Sequence, residues 1–283
     1  MSLDALSVLL RALSFVALLQ TAGIAVFLGL FSSQLVRAAG GIRRLGMWSA
    51  AVALPLLLSQ LPLEAARMAG EFAGVFDWSL ERLVFTSAAG AAFDARVSGL
   101  VLILAGLSGS GRIARGISCL GVLLVAISFA LMGHTAVHSH RWVLAPALIM
   151  HVLIAAFWLG AILALYLATA REAPDLAGRL TEAFSRVAVW LVPFLAVAGV
   201  VMAVVLVPRL EVFSQPYGWL LLGKIFGFTM LMGLAAANRS RLGPAVALGA
   251  SEPFKRSLAA EYVLMVGVLA ATATMTSLYS PEP

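Results

Sequence analysis

VAVWLVPFLAVAGVVMAVVLVP, residues 187–208, carries no charged side chain from end to end. Wound as a helix at about 1.5 Å per residue, a run of this length reaches across the roughly 30 Å hydrocarbon core of a bilayer. Seven further apolar runs lie around it, near 6–35, 44–63, 95–110, 117–134, 143–169, 218–238 and 258–279. The third is the shortest, because LVLILAGLSGSG meets Gly109, Ser110 and Gly111 early, and it is read as extending back toward Phe93. Composition agrees: 62% of the 283 residues are hydrophobic and only 11% charged, too few to coat a soluble domain of this size. The expectation is an all-α polytopic membrane protein, a bundle of eight transmembrane helices forming one domain over 1–283. The first run is too long for the core of a signal peptide, places Asp4 ahead of Arg11 and lacks a small-residue cleavage site, so it is read as a retained helix.

Orientation follows from the cations, because Lys and Arg beside a helix end resist translocation. The loops 36–44, 111–116, 170–186 and 239–257 hold twelve of them, against six on the other side: Arg11, Arg67, Arg82, Arg96, Arg141 and Arg209. The first set is expected in the cytoplasm and both termini in the periplasm. The net charge of +6 mostly reflects this asymmetry, and no basic run suggests a nucleic-acid surface. The longest loop, Glu64 to Asp94, contains WSLERLVF, which suits a short interfacial helix with Trp78 at the headgroups. No nucleotide-binding loop is present, so ATP is not expected as a direct driver.

All four histidines fall between residues 131 and 160, in LMGHTAVHSHRWVLAPALIMHVLIAAFWLG. His134 closes the fourth run and His138 follows four positions on, so one more helical turn would place both rings on one face. His140 completes a His-Ser-His pair whose rings point the same way in an extended loop. His151 sits about 12 Å down the fifth helix, where an ionisable side chain is costly and marks a functional candidate. Each histidine alone has an ordinary explanation, solvation in a loop or a hydrogen bond to a carbonyl. Four together favour a shared transition-metal ion, and imidazole alone does not choose the metal. Met132 and Met150 flank His134 and His151, with Met202 and Met275 in the same outer layer, and thioether sulfur leans toward Cu(I). Methionine also fills gaps in helical cores. The single cysteine, Cys119, excludes an internal disulfide and reads as a small buried filler ahead of a Cu(I) relay ligand.

Gly133-His134, and His151 followed by Trp158-Leu159-Gly160 in one helix, resemble the membrane domain of the copper-resistance protein D (CopD) family. AFSRVAVWLVPFLAVAGV at 183–200, YGWLLLGKIFGFTMLMGLAAANRSRLGP at 217–244, FTSAAGAAFDARVSGLVLIL at 85–104 with Arg96, and Glu261 in the last helix extend the likeness over the whole chain. His138 and His140 exceed the family pattern and are candidates by spacing alone. The resemblance implies a bacterial inner-membrane protein in contact with lipid that handles copper, moving it from periplasm toward cytoplasm, often beside a small periplasmic copper carrier. The candidate ligands are His134, His138, His140, His151, Met132 and Met150.

Two charges in the apolar runs need partners. Lys224 is expected to pair with Asp94, and Glu261 with Arg186 or Arg239, while Trp158 and Gly160 read as packing residues. Beside a purely structural or sensory role, two alternatives to transport stay open. One is a copper-dependent redox enzyme working at the periplasmic face, which needs ligands at one side only. The other is a b-type haem protein with His134 and His151 as axial ligands.

Overall fold

In the computed structural model, which describes residues 2–207 and 209–280, all eight runs are helices long and apolar enough to cross a membrane. They are α1 (Leu3–Phe31), α2 (Ala39–Leu58), α3 (Ala88–Ser108), α4 (Gly111–Ala130), α5 (Arg141–Arg171), α6 (Pro174–Leu206), α7 (Pro216–Ala237) and α8 (Glu252–Leu278). No strand occurs among the described residues. The short third run lengthens backward past Phe93 to Ala88, where Ser87 accepts a hydrogen bond from Ala89 N and caps the helix start. WSLERLVF is a separate helix, Trp78–Phe85, capped by Asp77 and with Trp78 exposed. Pro208, the last residue of the opening stretch, lies outside the described residues.

Two helices form the axis of the bundle. The most apolar stretch of α1 is 72% buried and that of α5 61%, whereas those of α6 and α7 are each 11% buried. The axis exists because α1 and α5 touch backbone to backbone at Gly23, Ala156 and Gly160, where a side chain would hold them apart. Gly99 and Gly121 bring α3 and α4 together in the same way. Around this axis α2 and α8 pack on α1, α6 packs on α5, and α7 packs on α8, while α6 and α7 barely touch one another. The outer surfaces of α6 and α7 show Trp190 at 76% and Phe226 at 68% exposure, which suits lipid and would be unfavourable in water.

The chain ends share one end of the bundle with the histidines. There Arg11 binds Glu64 at 2.6 Å and donates to Thr276 O, and Arg67 bridges Glu64 and Asp4 and donates to Ser277 O. Asp77 lies beside this end, and its hydrogen bonds from the Ser79 hydroxyl and the Leu80 amide hold its carboxyl below the usual range. At the opposite, arginine-rich end, Glu172 Oε1 accepts from the backbone N–H groups of Val36, Arg37 and Ala38 at 2.8–2.9 Å. It thereby ties the end of α5 to the start of α2.

Cys119 is exposed on α4, so it is no buried filler: the face of α4 that packs carries Ala114, Ser118 and Val122 instead.

Candidate metal centre

The fourth helix stops at Ala130, four residues short of His134. Gly133 takes φ +83, a left-handed conformation that glycine adopts at no steric cost, and the chain restarts as a single turn, His134–Val137. His138 is then the extended residue that ends this turn, so the shared helical face expected for His134 and His138 does not form. His138 and His140 do come together, with ring centroids 5.4 Å apart. Met132 is turned to another partner: Arg96 Nη2 donates to its sulfur at 3.7 Å. Met150 is half-buried and packs against the hydrophobic core. Met275 is buried beside Val212 and Tyr217.

Each histidine has its own polar contact, and the kind of contact separates them. His151 Nδ1 lies 3.1 Å from Leu195 O on α6, and His134 Nε2 lies 3.3 Å from Tyr279 O at the end of α8. A carbonyl oxygen only accepts, so in both rings the bonded nitrogen carries the proton and the other nitrogen keeps its lone pair. Metal-binding imidazoles are oriented in this way, by a carbonyl on the far nitrogen. The ring lies against α6 at Gly199, where a Cβ would make only an ordinary van der Waals contact with its Cε1, at 3.6 Å. His138 differs: its Nδ1 accepts from the backbone N–H of His140 at 3.0 Å, which commits that lone pair, while His140 Nδ1 meets Ser139 Oγ at 3.2 Å. Among the described residues no three His, Cys, Asp or Glu side chains converge closely enough to hold a metal ion. The carbonyls of Leu195 and Tyr279 were not legible in the sequence, because a backbone acceptor has no residue signature.

The buried charges depart from expectation. Lys224 and Asp94 form no ion pair among the described residues; Asp94 is exposed near the start of α3, while Lys224 is half-buried on α7. Glu261 forms no ion pair with arginine among the described residues. Arg239 instead donates to Ser185, and Glu261 accepts from Trp158 Nε1 at 3.3 Å and from Asn238 Nδ2. Trp158 is therefore a hydrogen-bond donor as well as a packing residue. Arg96, 6% exposed, pairs with no carboxylate among the described residues either; it donates to Ser128 Oγ and lies 5.0 Å from the centroid of the Phe129 ring.

Residues 2–141 match the family model described as copper resistance protein D-like, N-terminal domain, and residues 178–275 match that of copper resistance protein D. Copper resistance protein D of Pseudomonas syringae pv. tomato is 29% identical over 316 aligned residues, which cover 99% of this chain and 98% of that protein. No solved structure matches the chain. The eight apolar helices and these matches fit a multi-pass protein of the bacterial inner membrane. Since the two models take the two halves of the chain in order and the bacterial relative aligns from end to end, the chain belongs to the copper resistance protein D family.

Proposed function

We propose that the protein binds copper at the histidine-bearing end, which the cation asymmetry reads as periplasmic, and moves it toward the arginine-rich end. His134 and His151 are the principal ligands; His138 and His140 receive the ion at the mouth, with Met150 and Met132 as softer neighbours. The observation that carries this reading is the carbonyl anchoring of His151 by Leu195, which fixes the ring and leaves a free lone pair well inside the membrane. Counted from Arg141, His151 lies about 15 Å along α5 at 1.5 Å per residue, deeper than a solvated loop histidine reaches. A transport site must also hold its ion weakly enough to release it, which suits a series of sparse ligands. The family's association with copper resistance supplies the cargo. A small periplasmic protein that delivers copper fits the exposed loop of His138 and His140.

The test is copper quantification on purified protein together with copper uptake by proteoliposomes. His134→Ala and His151→Ala are expected to lower bound copper and to abolish uptake. Equal copper content in the parent and both variants would refute the ligand assignment, and copper bound without uptake would refute transport.

A further inference from the structure

Glu261 is 3% exposed in the arginine-rich half of α8, and both donors that reach its carboxylate, the Trp158 indole and the Asn238 amide, are neutral. None of the charged or titratable groups on the elements packed against α8 makes an ion pair with it. Arg11 of α1 binds Glu64, His151 of α5 turns to Leu195, and Tyr166 of α5 is exposed. Arg239 of the turn after α7 binds Ser185, while Lys224 and Arg241 form no ion pair among the described residues. On α8 itself, Lys255 pairs with Glu252. A buried carboxyl in a membrane helix with no cation beside it is a functional candidate by default.

Two buried atoms next to it have no partner among the described residues. Asn238 Oδ1 and Ser257 Oγ make no hydrogen bond, and Ser257 lies one turn before Glu261 on the same face of α8. Asn238 also opens a π-helical turn, Asn238–Leu242, a local widening found often at functional sites. A side-chain amide offers both a donor and an acceptor. Its Nδ2 donates to Glu261 as seen here, the arrangement an ionised carboxylate requires, and a half-turn would present the idle Oδ1 to the O–H of the protonated acid. The amide can therefore satisfy both states of Glu261. On α5, His151 and Trp158 stand seven residues apart, two turns along one face, so the ring proposed for copper and the indole that holds Glu261 share a stripe.

We propose that Glu261 is a proton site through which this protein exchanges a proton for each passing copper ion. This rests on the transport reading above. As a copper cation enters the inner half, the Glu261 carboxylic acid loses its proton and becomes carboxylate, and that proton leaves toward the side the copper came from. The Asn238 amide turns with the change. One cation replaces another, so the buried charge in the bundle stays constant.

The experiment uses the full chain in proteoliposomes with a pH-reporting dye trapped inside and copper(I) kept reduced outside. In the parent protein, copper uptake is expected to alkalinise the lumen. In Glu261→Gln the copper-driven pH change is expected to be lost, with monodispersity in detergent as the check on folding. Uptake by the parent without any pH change would overturn the exchange while leaving transport intact, and this measurement needs no variant to fold. Equal proton movement in the parent and Glu261→Gln would overturn the assignment to Glu261. Absence of copper uptake by the parent would overturn transport and the exchange with it.

Discussion

Gly160 of α5 meets Gly23 of α1 backbone to backbone, so that a Cβ on either would overlap the main chain of the other helix. The obstacle is backbone, which cannot swing away as a side chain tip can. Gly160→Ala is therefore expected to separate the two central helices and destabilise the fold by about 1–3 kcal/mol, as other overpacking changes do. Gly233 on α7 has open space around it, so Gly233→Ala is expected to be neutral or stabilising by about 0.5–1 kcal/mol. Thermal unfolding of both variants in the same detergent checks the contrast, and equal shifts would contradict it.

Glu172 concentrates three backbone donors on one carboxylate oxygen at the arginine-rich end. Glu172→Ala leaves the N–H groups of Val36, Arg37 and Ala38 without that acceptor. Each buried donor left unpaired costs about 1–3 kcal/mol where water cannot replace the bond. The variant should unfold at a lower temperature, and hydrogen exchange should quicken at residues 36–38. Unchanged exchange there would show that α2 does not depend on this cap.

Asp77 governs the short helix beside the histidine-bearing end. The Ser79 hydroxyl and Leu80 amide lower its carboxyl below the usual value, so the cap contributes fully above the unfolded carboxyl value and fades as pH falls through the lower, folded one. Hydrogen exchange at Leu80, corrected for the intrinsic effect of pH, should become less protected only in acid. In Asp77→Ala that loss of protection should already be present at neutral pH. A protection factor that stays constant into acid would contradict the linkage.

The membrane spans were legible because length and apolarity are one-dimensional properties: no pairing of distant residues is needed to see that residues 187–208 suit lipid. Histidine clustering was legible for the same reason. The local path of the chain was less so, since α4 ends at Ala130 and Gly133 turns left-handed before His134. A helical extension over His134 and His138 could not survive that turn.

Partners of the buried polar groups were beyond the sequence. Opposite charges suggested Asp94 for Lys224 and arginine for Glu261, yet α5 and the end of α7 deliver an indole and an amide to Glu261 instead. Neutral donors are common along any membrane helix, so nothing in the sequence marks which of them will meet a carboxylate. Cys119 faces outward on the same principle, because helix rotation is set by packing of neighbours such as Ser118 and Val122.

By itself the sequence determined that this chain is a bundle of eight apolar helices with its imidazoles gathered at one end, because the bilayer selects for length and hydropathy residue by residue. Only the tertiary structure decided which nitrogen of His134 and His151 remains free and which side chains hold Glu261. Those outcomes depend on how helices distant in sequence rotate and approach, and the contact of Gly23 with Gly160 sets that geometry for the two central helices.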